Sequence, residues 1–258
     1  MSIILTIARY CWLEAMRNRL LWFIGVFFLF SLSLTAFIGE LAIAETVLFQ
    51  SAFLGAVLRF GSVVVMCLLV ITSMVREFND RGLWLILSLP MPRASYFFGK
   101  FAGFSSLAVF LAMLCCFALL IYVPAGQVMI WGISMVCELV LIVTFSLLCV
   151  FAFEQVTLAF VAVMAFYVLS RGIDAFELIA TTAVANGGGA PEFADRVMSL
   201  SIGAIAFILP EFHHFTSSDW LVYHTGVWSA LLPVVGQTAV YLVMLMGAAL
   251  FDLYRKAL

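Results

Sequence analysis

Six times along its 258 residues the chain runs on almost without charge, at roughly 20 to 38, 52 to 75, 101 to 123, 128 to 149, 156 to 177 and 225 to 250. A helix rising about 1.5 Å per residue needs about 20 apolar residues to cross the ~30 Å hydrocarbon core of a bilayer. Lipid offers an open backbone no hydrogen-bond partner, so such runs fold as helices rather than as loops or unpaired strands. Composition agrees: 66% of the residues are hydrophobic and 10% are charged, whereas a soluble domain is about half apolar and about a quarter charged. The sequence therefore predicts an all-α membrane protein with six transmembrane helices, a single domain over 1–258. The run after Arg17 and Arg19 has no small-residue cleavage site behind it. It is expected to stay as the first span rather than leave as a signal peptide.

Basic residues are retained on the cytoplasmic side of a membrane, so their placement predicts orientation. With both termini cytoplasmic, the inner segments hold Arg9, Arg17, Arg19, Arg76, Arg81, Arg93, Lys100, Arg255 and Lys256, while the outer side holds Arg171 and Arg196. Arg59 falls deep within a span, and Arg171 lies toward the outer end of one. The acidic residues Glu40, Glu45, Asp174, Glu177, Glu192, Asp195, Glu211 and Asp219 fall on the outer side in this arrangement. A net charge of −2 gives no electrostatic footprint for nucleic acid, and none is expected as a partner.

Three segments outside the spans stand out. Residues 3 to 18 can form a helix with Ile4, Ile7, Ala8, Cys11 and Ala15 on one face and Thr6, Arg9, Glu14 and Arg17 opposite, which predicts an interfacial helix (1–19) on the cytoplasmic leaflet or an extension of the first span. The inner segment 76–100, REFNDRGLWLILSLPMPRASYFFGK, is far longer than two antiparallel helices need, which predicts docking. The outer segment 178–224 opens with Asn186-Gly187-Gly188-Gly189-Ala190-Pro191 and contains the apolar run Val197 to Pro210. Too short to span, that run is expected to be re-entrant or interfacial.

No motif for chemistry on a small molecule is present. Gly99-Lys100 is followed by Phe101 and lacks the upstream glycine of a phosphate-binding loop, so the chain is not expected to hydrolyse ATP itself. Cys11, Cys67, Cys115, Cys116, Cys137 and Cys149 lie in or beside apolar segments without zinc-site or disulfide spacing, and read as small buried hydrophobes. All three histidines fall in one outer stretch with Glu211, His213, His214, Asp219 and His224. Imidazoles with carboxylates can hold zinc or copper. They serve equally as a polar cap at a wet interface, and the spacing assigns no metal ligand.

Charges inside spans are costly and mark function by default. Arg59 and Glu138 lie at similar depths from the outer side, which predicts either an ion pair joining two helices or a snorkelling arginine beside a protonated acid. Arg171 and Asp174, three apart on one helical face, are expected to satisfy each other. The 26 phenylalanines suit either a hydrophobic cargo path or contact with lipid and neighbouring helices. Trp12, Trp22, Trp84, Trp131, Trp220 and Trp228 near span ends are expected to anchor at the interface. Gly99 and Gly103 predict close helix packing at the start of the third span.

The inner segment also carries a family resemblance. Glu77, Arg81-Gly82, Leu85, Leu87, Pro90, Arg93 and Gly99-Lys100 resemble the pattern of type-2 ABC transporter permeases. Ile208-Leu209-Pro210-Glu211-Phe212 is similar to a stretch before the last span in the branch associated with copper-enzyme maturation, with Leu83-Trp84 and Glu211 departing from the commoner residues. The resemblance implies a coupling helix within roughly 77 to 92 that enters a cleft of a separate ATPase subunit, where ATP and magnesium bind. It implies Glu77, Asp80, Arg81, Gly82, Leu85, Leu87, Pro90 and Arg93 as coupling residues. The residues suit that role: Arg76, Glu77, Asp80 and Arg81 make a polar face, and Leu83 to Leu87 with Leu89 supply apolar anchors that are costly to expose. Pro90 and Pro92 stop the helix. Further implied are a second permease copy, identical or related, and work as an exporter. The alternatives are a component that passes conformational change to an extracytoplasmic protein or cofactor under assembly, and a secondary transporter.

Overall fold

The computed structural model describes residues 3–17, 20–41, 45–79, 92–185 and 209–255, without the side chains of 20, 21, 41 and 174–185. Helices α1 (Ile3–Arg17), α2 (Leu20–Leu41), α3 (Thr46–Asn79), α4 (Arg93–Leu119), α5 (Ala125–Phe153) and α6 (Val156–Ala185) follow in order. A single short turn, α7 (Ser218–Val222), and a 3₁₀ turn (Trp228–Ala230) lead into α8 (Leu231–Arg255). No strand occurs among the described residues.

Six helical segments are long and apolar enough to cross a membrane: Trp22–Glu40, Thr46–Asn79, Arg93–Leu119, Ala125–Phe153, Val156–Ile173 and Trp228–Arg255. They coincide with the six runs read from the sequence, so the chain is a multi-pass membrane protein. Two limits differ from expectation. The segment 76–100 is shorter than read, because α3 continues to Asn79 and α4 starts at Arg93, so its first four and last eight residues are helical. At 34 residues α3 is about 51 Å long, well beyond the hydrocarbon core. Helix α6 likewise runs to Ala185, into the segment expected to begin at 178. Residues 80–91 of the expected coupling helix, among them Asp80, Arg81, Gly82, Leu85, Leu87 and Pro90, lie outside the described residues. So does the expected re-entrant run, apart from its last two residues, Leu209 and Pro210.

Helix α5 is the hub, packing against α3, α4, α6, α7 and α8. Of the most apolar stretch of α5, 61% is buried within the protein, against 11% for the α2 span and 17% for the last span, so those two supply the outer apolar faces. Exposed Trp22, Phe23, Leu29, Phe30, Leu232, Val243 and Phe251 lie on them. Connections at the hub are tight. Pro124 caps α5, and at its other end Glu154 takes a left-handed backbone at φ 57°, so that α6 begins two residues later at Val156. Five hydroxyls within the spans are satisfied by their own helix: Ser31, Thr35, Thr72, Thr144 and Thr238 each donate to the carbonyl four residues earlier. That local bond removes the cost of carrying a hydroxyl into lipid.

The expectation of close packing at Gly99 and Gly103 is met, and the partner is α1. A Cβ on Gly99 would lie 2.8 Å from Ile7 Cβ, and one on Gly103 would lie 2.8 Å from Cys11 Cβ and 3.1 Å from the Ala8 backbone. The apolar stripe of α1 therefore lies on α4, with Cys11 and Ala15 buried. Trp12 donates its indole N–H to Ser106 Oγ at 2.6 Å and sets its ring edge against Phe110. Burial pushes the Cys11 thiol up from an ordinary 9.0 to about 11, against the lowering influence of Lys100. The six cysteines are all free, four buried and two half-buried, as small hydrophobes would be. The tryptophans divide. Trp22 and Trp228 are exposed at helix starts, as anchors are, but Trp131 is fully buried in α5 and Trp220 is buried in α7.

Candidate functional site

Two ionic groups lie inside the helix bundle, one toward each end of α3. The first holds the segment between α6 and α8. Arg59 and Glu138 each stand 13 residues beyond the first residue of their helices, Thr46 and Ala125, and both reach the turn at 211–217. Arg59 donates to the carbonyl of Thr216 at 2.9 Å. Arg171 donates to the carbonyls of Phe212 at 2.8 Å and Phe215 at 3.3 Å, and its guanidinium stands 3.7 Å from Glu138 Oε1. The other oxygen of Glu138 accepts from the Thr216 hydroxyl at 2.7 Å. Tyr167 lies among the three charged groups and interacts with each.

Thr216 is the point of convergence. Its N–H donates to Ser134 Oγ at 2.9 Å, its carbonyl accepts from Arg59, and its hydroxyl reaches Glu138, so all its polar groups are engaged and the residue is wholly buried. Its φ is 47°. A β-branched side chain rarely takes that backbone, at a cost of order 1–3 kcal/mol. Bonds to α3 and α5 hold it there. Phe212 and Phe215 pin the turn from below, both at 0% exposure, with Phe212 set against Phe166, Tyr167 and Phe215. Short backbone bonds close the turn itself, from Phe212 to Pro210, from His214 to Glu211 and from Phe215 to Phe212. Non-helical backbone at membrane depth survives only where protein satisfies its polar groups. Two arginines supply that here.

Of the arrangements read from sequence, the direct Arg59–Glu138 pair is not the one observed. The two residues meet through Thr216, and Arg171 is the cation facing Glu138. The reason is that the turn brings bare carbonyls into the bundle, and these acceptors take the guanidinium N–H groups as donors, while Glu138, itself an acceptor, takes the Thr216 hydroxyl instead. Arg171 likewise turns to the bundle interior, while the side chain of Asp174, its expected partner, lies outside the described residues. The outer polar stretch also divides. Donor atoms of Glu211, His213 and His214 lie within 4.8 Å of one another, and Asp219 and His224 do not join them. His224 offers its carbonyl to Gln127 at the start of α5. Sequence reasoning missed Thr216 and Ser134, two common polar residues with no motif. The one available signal was the three-residue spacing of Phe212 and Phe215 in a polar stretch.

The second group joins the opposite ends of α3 and α4. Glu77 Oε2 and Lys100 Nζ are 2.5 Å apart, with side-chain exposures of 15% and 2%. Tyr10, Tyr96 and Phe104 surround the ammonium at about 6 Å from each ring centroid, a cation–π distance. A 240 Å³ cavity lined by Thr6, Ile7, Tyr10, Glu77, Tyr96 and Lys100 opens beside the pair, between α1 and the ends of α3 and α4. Arg93, at the start of α4, donates to the carbonyl of Leu253 at 3.4 Å and so ties α4 to the end of α8.

The class defined by fold and sites is a multi-pass α-helical membrane protein with an internal ionic tie near each end of the bundle. No protein-family description matches the chain, and no curated protein matches it.

Proposed function

We propose that this chain is the membrane-spanning permease subunit of an ATP-binding cassette transporter, working as an exporter in a bacterial inner membrane with both termini in the cytoplasm. ATP and magnesium bind to a separate ATPase subunit, and a second permease copy completes the pathway. The observation that carries this reading is the segment 76–100, whose charged opening, leucine-rich centre and Pro-x-Pro exit suit insertion into a partner. Around it the helices are arranged to take up a push. Glu77 and Lys100, near the two ends of the segment, lock the end of α3 to α4, α4 carries α1 on its glycine face, and Arg93 reaches α8. A displacement of the segment is therefore shared by four helices rather than absorbed in one. Nine basic residues on this side against two on the other support its cytoplasmic placement.

The grip on Thr216 favours a second reading, in which the same drive moves an extracytoplasmic surface rather than a cargo. Helices α3 and α5 hold that turn directly, so their movement would displace it.

The permease reading is tested by co-purifying the chain, expressed at native level, with the ATP-binding subunits of its host. Wild type is expected to retain one such subunit, and Leu85→Asp to lose it while still entering the membrane. Equal recovery with both, or no ATP-binding subunit with either, contradicts the reading. Glu77→Ala is a poorer probe of docking, because Glu77 is engaged with Lys100.

A further inference from the structure

The segment 209–217 buries five of its nine residues and leaves the other four exposed or half-buried. Leu209, Pro210, Phe212, Phe215 and Thr216 are buried, whereas Glu211 and His214 are exposed and His213 is half-buried. The two histidines are neighbours in sequence, and consecutive side chains ordinarily diverge. Here the bend brings their rings to 3.7 Å between centroids. His214 Nε2 stands 3.7 Å from Glu211 Oε2, and one donor atom from each of the three residues falls within a 4.8 Å span.

We propose that Glu211, His213 and His214 form a binding site for a borderline divalent ion of the Zn²⁺ or Cu²⁺ class, with two imidazole nitrogens, one carboxylate oxygen and a remaining position open to water or a further ligand. Three considerations carry it. The donor set is one that such ions prefer, since imidazole suits zinc and copper while magnesium and calcium favour all-oxygen shells. The distances are close to those required. Ligand atoms about 2.0–2.1 Å from a tetrahedral ion lie about 3.3 Å from one another, so no pair here has to close by more than about 1.5 Å. Side chains as exposed as Glu211 and His214, at 51% and 63%, do that by rotation about χ angles.

The scaffold, finally, is fixed before any ion arrives. Arg171 holds the carbonyls of Phe212 and Phe215, the residues on either side of the two histidines, and Arg59, Ser134 and Glu138 hold Thr216. An ion closing on the three side chains orders little backbone, which lowers the entropic cost of binding. His224 falls outside the group, so the site uses two of the chain's three histidines and leaves the third as an internal control. The inference rests on the turn alone and stands whether or not the chain is a permease.

The test uses the full chain in detergent, purified without a histidine tag and stripped of metal. Zn²⁺ alone is titrated against a chromogenic chelator, and Cu²⁺ alone is followed by electron paramagnetic resonance. Wild type is expected to bind one ion per chain, and the Cu²⁺ spectrum to show coupling to two imidazole nitrogens. His214→Ala, the most exposed of the three positions, is expected to weaken affinity by about tenfold or more, as loss of one ligand does, with one nitrogen coupling remaining. Glu211→Gln should weaken binding and keep both nitrogens. His224→Ala should leave affinity and spectrum unchanged. Elution volume and helical circular dichroism equal to wild type establish that His214→Ala is folded. Binding by wild type no tighter than by a folded His213→Ala/His214→Ala chain, or an effect of His224→Ala as large as that of His214→Ala, overturns the proposal.

Discussion

At the scale of single residues, Thr216 concentrates the demands of the fold. A left-handed φ of 47° is unfavourable for threonine, and glycine would adopt it freely. Glycine would also discard the hydroxyl that meets Glu138 at 2.7 Å inside the bundle. Removing that hydroxyl while keeping the shape leaves a buried carboxylate short of a donor, so Thr216→Val should cost about 1–3 kcal/mol. Thr216→Ser keeps the hydroxyl and should cost less. Thermal unfolding of the detergent-solubilised chain checks the order, and a Thr216→Ser as damaging as Thr216→Val would show that the methyl, not the bond, matters. Glu77 and Lys100 obey the same logic of paired burial. Either single neutral variant, Glu77→Gln or Lys100→Met, strands a charge that is largely shielded from water and should cost about 3–5 kcal/mol. The double variant is expected to be markedly more stable than the sum of the two implies. Additive losses in denaturation would mean that the two residues act independently.

At the scale of elements, α1 and α4 show how a pair of small residues decides a helix position. Gly99 and Gly103 leave room for the backbone of α1 to come within contact of α4, and Cys11 is sealed at the junction at 1% exposure. With its pKa raised to about 11, Cys11 is a neutral thiol near pH 7, and its nucleophilic form gains population only as pH climbs toward that value. Gly103→Leu should overpack the seam, at about 1–3 kcal/mol, and lift α1 from α4. The expected result is faster maleimide labelling of Cys11 at pH 7; unchanged labelling would place the seam's stability elsewhere.

This seam was legible in the sequence because Gly99 and Gly103 sit four apart and the apolar stripe of α1 has helical period. The spans were legible because lipid imposes a length and a composition. The partners of Arg59, Glu138 and Arg171 were not. Which carbonyl a buried guanidinium meets depends on how a turn 41 to 157 residues away folds back, and no local period records that. Trp131 was misleading for a related reason: aromatic residues near span ends suit both the headgroup region and a packed interior, and tertiary contacts chose the interior.

At the scale of the whole molecule, α5 is the shared wall, while α2 and α8 present their apolar faces outward. In the proposed orientation the end of the bundle near Ser229 lies on the extracytoplasmic side of the membrane and the end near Tyr254 on the cytoplasmic side. The native cysteines are buried or half-buried and give a low labelling background. A membrane-impermeant maleimide applied to intact cells should therefore mark Ser229→Cys and leave Tyr254→Cys unmarked until the membrane is opened. The reverse pattern would invert the topology and place the segment 76–100 outside, away from any ATPase. In the proposed subunit the segment 76–100 docks directly on the ATPase. A photo-crosslinking amino acid at position 85, activated in living cells, should capture a cytoplasmic ATP-binding subunit as a single larger band. Capture of lipid alone, or of an extracytoplasmic protein, would contradict it.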